Sequence, residues 1–192
     1  MDVKPNTELR MAYLGIPKPG ETHDERQTPF KYWDSRCGCE LCVELSCIPL
    51  GELSKRRGIL LNPTRELTGD TSPFAELSKR LTRLKDTHSG SHESFRFQID
   101  LAFPNLTLAH YSMHVGKASE AIAAAGEAHK ALGYNIDVWG LRLRPRRPAR
   151  LHLRSWGASP DLAIWAFVAL TRAFKVVAHA LPAVAEKHVE VL

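Results

Sequence analysis

The stretch FRFQIDLAF, residues 95–103, decides how the chain is read. Phe95, Phe97, Ile99, Leu101 and Phe103 alternate with Arg96, Gln98, Asp100 and Ala102. Successive side chains of a strand point to opposite faces, so this period of two predicts a half-buried strand. Pro104-Asn105 supplies a turn, and LTLAHYSMHV, residues 106–115, reads as a second strand.

Toward the C-terminus, KASEAIAAAGEAHKALG (117–133) predicts a helix. It is alanine-rich, opens with Ser119 and Glu120, and ends at Gly133, a residue suited to a helix C-terminus. Gly126 at its centre costs roughly 1 kcal/mol relative to alanine, which marks a place of close packing. DVWGLRLRPRRPARLHLRSW (137–156) then predicts a second hairpin, with Pro145 to Pro148 as an exposed turn. Asp161 caps a last helix, Leu162 to His179. The order after residue 90 is strand-strand-helix-strand-strand-helix. The economical packing is an α+β fold: one antiparallel sheet of about four strands with both helices on one face.

Toward the N-terminus, Ser72 and Pro73 form a helix start. Phe74, Leu77, Leu81 and Leu84 follow at helical spacing. Residues 1–50 read as an irregular N-terminal arm carrying a cysteine cluster, and residues 51–192 as a single α+β domain. The composition, 44% hydrophobic and 24% charged, excludes wholesale disorder. No signal-peptide run opens the chain. The most apolar run, LAIWAFVAL (162–170), falls well short of the roughly 20 residues that span a bilayer. The expectation is an intracellular, cytoplasmic protein with no transmembrane span.

The net charge is +5, and its distribution points to a partner. Between Val138 and Pro160 stand six arginines, one histidine and no acidic residue. Arg142, Arg144, Arg150 and Arg154 alternate with leucines, while Arg146 and Arg147 occupy the turn. Like charges facing one another across strands destabilise a sheet, so the patch serves something other than the fold. Guanidinium groups bind phosphate through paired hydrogen bonds, and Trp156 on the same face offers a stacking surface. The leading reading is a non-enzymatic polyanion-binding protein that grips the RNA or DNA backbone through this hairpin. The alternative is a structural or regulatory protein-interaction module, viral matrix-like or inhibitor-like, touching an anionic membrane. A third reading is a small metal-dependent enzyme.

RCGCELCVELSC (36–47) spaces Cys37, Cys39, Cys42 and Cys47 as C-x-C-x2-C-x4-C. Such tight spacing suits metal or redox chemistry, and four thiolates match tetrahedral zinc. A mixed site would add His23, His88 or His92, and buried or free thiols are the plain alternative. His110, Ser112 and His114 would share one face of the second strand, as an acid–base pair or metal ligands. No Gly-rich nucleotide loop, GxSxG or HExxH motif is present. The last helix is apolar over most of its circumference, which predicts burial in the core, in a homodimer interface or partly in a membrane interface.

Overall fold

The computed structural model describes residues 17–18, 20–61, 73–88, 95–139, 150–158 and 160–189. Among them the elements run α1 (His23–Lys31), α2 (Glu40–Ser46), α3 (Leu50–Leu61), α4 (Pro73–Asp86), α5 (Ile99–His114), α6 (Ala118–Ala131), β1 (Asn135–Trp139), β2 (Arg150–Ser155) and α7 (Pro160–Val189). The fold is therefore mostly helical. Among the described residues a single two-stranded antiparallel sheet stands in place of the expected four-stranded one.

The correction falls on residues 95–115. Both expected strands lie in or beside one helix, α5, which runs straight through Pro104. Its buried face is Leu101, Asn105, Ala109 and Ser112, spaced four, four and three, with Ala102 beside it. Small and polar residues make that face, while Phe103 stands 68% exposed. The alternation of large residues therefore caught only part of that face: Leu101 is buried and Ile99 packs on the core, but Phe103 is exposed. Proline removes one bond from the helical ladder, and the buried Asn105 amide donates to the Leu101 carbonyl at 2.8 Å, one turn back.

Within residues 1–50, residues 23–31 and 40–46 are helical. Helix α1 starts with a reciprocal cap: the Thr22 hydroxyl accepts from the Glu25 N–H, and the Glu25 carboxylate accepts from the Thr22 N–H. Gly20, at a φ of 63°, donates to Asp100 at 3.1 Å, and its carbonyl accepts from Arg57. Asp100 also lies 3.8 Å from the buried Arg56, which donates to the Thr87 carbonyl at 2.9 Å. Burial raises the Asp100 carboxyl above its usual range, against the lowering pull of the Gly20 N–H and Arg56. These bonds fasten the segment before α1 to α3 and α5.

Helix α6 lies between α5 and α7. Ala121, Ala124, Ala125, Ala128 and Ala131 are buried, and such small side chains permit close approach on both sides. Gly126 is exposed, and a Cβ there would meet nothing within 4 Å, so no close packing explains it. Helix α7 buries Ala163, Ala166, Leu170 and Ala173, but Ile164 and Trp165 stand 59% and 65% exposed. The described part of that helix is therefore not apolar and buried all round. Among the described residues, no helix is long and apolar enough to cross a membrane.

Candidate metal centre and basic hairpin

Cys37, Cys39 and Cys42 bring their sulfur atoms within 4.8 Å of one another. Cys39 precedes α2, Cys42 sits on its first turns, and Cys37 is held by α1. The buried Gln27 side chain clamps the Cys37 backbone from both ends, accepting from its N–H and donating to its carbonyl, each at 2.9 Å. The cluster runs from the exposed Cys39 to the buried Cys42.

Cys37 and Cys42 are electrostatically distinct. Burial pushes the Cys42 thiol up to about 12, and the neighbouring Cys37 and Cys39 push in the same direction. Burial would raise Cys37 too, but the Cys39 N–H, the Cys39 and Cys42 thiols and the Arg26 charge together bring it below the ordinary thiol value. Arg26 is itself buried and ion-paired to Glu21 at 3.1 Å. A cation held this close favours negative charge on the cluster.

Three of the four cysteines can thus hold a metal ion, and Cys47 stands apart from them. Cys47 terminates α2, exposed, five residues beyond the buried Cys42. Five residues along a helix rotate a side chain by about 140°, which carries it off the cluster face. Among the described residues no histidine joins the thiols. The His23 ring contacts the Gln27 amide at 3.1 Å, His88 lies buried beyond α4, and His92 is outside the described residues. Sequence reasoning missed Gln27 and Arg26, the two residues that position and polarise Cys37. A helix start at Thr22-His23 would have placed both on α1, facing the loop that follows.

The hairpin lies within the segment expected for the second pair of strands. Its register sets Ile136 opposite Leu153, Val138 opposite Leu151 and Trp139 opposite Arg150. Leu153 and Ile136 pack on the core, and Arg154, next along the strand, is exposed. Trp156 is 71% exposed and meets Tyr134 edge to face. Arg142, Arg144, Arg146 and Arg147 lie outside the described residues, and of Arg150 only the backbone is described.

One residue joins the two regions. Arg96 donates to Glu40 of α2 at 2.6 Å and to the Trp156 carbonyl, while Glu44 of α2 accepts from the Arg96 and Phe97 N–H groups. Beside this junction a cleft of about 680 Å³ is lined by Lys85, Arg96, Glu127, Lys130, Tyr134 and Ser155.

Ser112 does not share a surface with the two histidines as a strand would require. It is fully buried, and among the described residues its Oγ has no hydrogen-bond partner. His110 and His114 are exposed, one helical turn apart. No family model, no curated protein and no solved structure matches this chain.

Proposed function

We propose that this chain is a binding module whose N-terminal helices are tied by one zinc ion at Cys37, Cys39 and Cys42. The single observation that carries this reading is the convergence of three sulfur atoms within 4.8 Å. Zinc–sulfur bonds of about 2.3 Å in a tetrahedron set sulfurs about 3.8 Å apart, so small shifts close the site. Three thiolates and one zinc ion leave a net negative charge beside the buried Arg26–Glu21 ion pair. The metal would supply cross-linking of the loop after α1 to the start of α2, with a fourth ligand from outside this trio.

Metal analysis of the purified chain tests it. The expected result is one zinc per chain, lost in Cys39→Ser and retained in Cys47→Ser. A chain that takes up no zinc, or that loses it equally in Cys47→Ser, would overturn the assignment.

A second reading concerns the ligand of the module: a polyanion, most simply the phosphate backbone of RNA or DNA, held by the arginine hairpin. What supports it is the run of six arginines without an acidic residue, together with the exposed Arg154 and Trp156.

A further inference from the structure

Away from both regions, α5 carries a pair of histidines whose geometry suits a second metal ion. His110 and His114 lie four residues apart, so they share one face of the helix. Both are exposed, their rings meet edge to face at 77°, and their Nε2 atoms are 3.0 Å apart. Metal–imidazole bonds are about 2.0–2.1 Å long, so two such ligands at a right angle set their nitrogens about 2.9 Å apart. A tetrahedral angle would need a spacing of about 3.4 Å. The observed 3.0 Å is a hydrogen-bond distance close to both spacings, so modest rotation of the two rings brings both nitrogens onto one ion.

We propose that His110 and His114 form a bidentate site for a divalent late first-row ion, of which Ni(II) and Cu(II) stand high in the affinity order for nitrogen ligands. Neutral imidazole nitrogens are donors suited to these ions. The pair sits in the last turns of α5, where the helix C-terminus presents partial negative charge to a cation. Helix α5 packs against α4, α6 and α7, so both rings stand on a fixed backbone. In the free pair one Nε2 donates its hydrogen to the other. On coordination that ring moves its proton to Nδ1 through solvent, both Nε2 lone pairs face the ion, and no net proton is lost.

Ni(II) is the probe, because Cu(II) oxidises thiols. Calorimetric titration of Ni(II) into the full chain, preloaded with zinc, reads the site. Zinc content measured after titration shows whether the cysteine cluster has been disturbed. The expected result is one Ni(II) bound per chain, with affinity lowered about a hundredfold in either His110→Gln or His114→Gln, as loss of the second tooth of a chelate requires. Both variants should keep the helical circular dichroism of the parent, since both positions face solvent. Ni(II) binding that survives both substitutions, or that depends on one histidine alone, would overturn the proposal. Ni(II) uptake that expels zinc stoichiometrically would place the ion at the thiols and overturn it as well.

Discussion

His129 shows how one buried group makes the fold sensitive to pH. It is 2% exposed, and its ring centroid lies 4.2 Å from that of Phe167 on α7. Its Nδ1 is 3.0 Å from the Ala125 carbonyl, which fixes that nitrogen as the protonated one, because a carbonyl only accepts. Burial lowers the imidazole pKa, and the Ala125 and Ala163 backbone groups pull less strongly the other way. The folded chain therefore binds this proton less readily than the unfolded chain. The stabilisation is present above the unfolded value of about 6.5 and is lost as pH falls through it toward the lower folded value. Urea unfolding of the parent and of His129→Leu should show the parent losing relative stability between about pH 7.5 and 5.5. Parallel pH profiles would remove His129 from that role. The same scale decided what could be read at the thiols: close spacing nominated all four cysteines as candidate ligands, whereas setting Cys47 apart from the other three depends on helix phase.

Between elements, the hairpin is held to the end of α6 at Gly157. The Ala158 N–H donates to the Leu132 carbonyl at 2.7 Å, and a Cβ on Gly157 would fall 2.2 Å from that same oxygen and 2.3 Å from the Tyr134 ring. Backbone oxygen cannot yield as a flexible side chain does. Gly157→Ala should therefore destabilise the protein by about 1–3 kcal/mol, the usual cost of overpacking. Gly126→Ala, on the open face of α6, should stabilise it by about 0.5–1 kcal/mol through helix propensity. Denaturant midpoints moving the same way in both variants would contradict this contrast. Legibility followed the same contacts. Helix α4 begins at Pro73, and Gly133 follows α6 at a φ of 80°, because start and stop signals are local. Helix α5 was unreadable by pattern. Its core face includes Asn105 and Ser112, and its burial comes from neighbouring helices that periodicity along one segment does not reveal.

At the scale of the whole molecule, a net charge of +5 is concentrated around one hairpin, and Arg96 links that hairpin to the helix bearing Cys42. The bridge runs from Glu40 through the guanidinium to the Trp156 carbonyl, so α2 and the end of β2 are mechanically joined. The sequence sets six arginines and no acidic residue between Val138 and Pro160, and on the proposed reading a polyanion would offset their charge while releasing its own counter-ions. If four arginines each neutralise a phosphate, affinity for duplex or single-stranded nucleic acid should fall about a hundredfold between roughly 50 and 200 mM salt. Arg144→Glu combined with Arg150→Glu should abolish binding at the lower salt, because it reverses two charges within the patch. Trp156→Ala should weaken single-stranded binding by about 1–3 kcal/mol and leave the salt slope unchanged, since stacking releases no ions. Fluorescence anisotropy with labelled oligonucleotides reads all three quantities on zinc-loaded protein. Binding that ignores salt, or that survives the double charge reversal, would separate the arginine cluster from nucleic acid. Uptake by anionic vesicles in the same buffer, without oligonucleotide binding, would assign the cluster to a membrane surface instead.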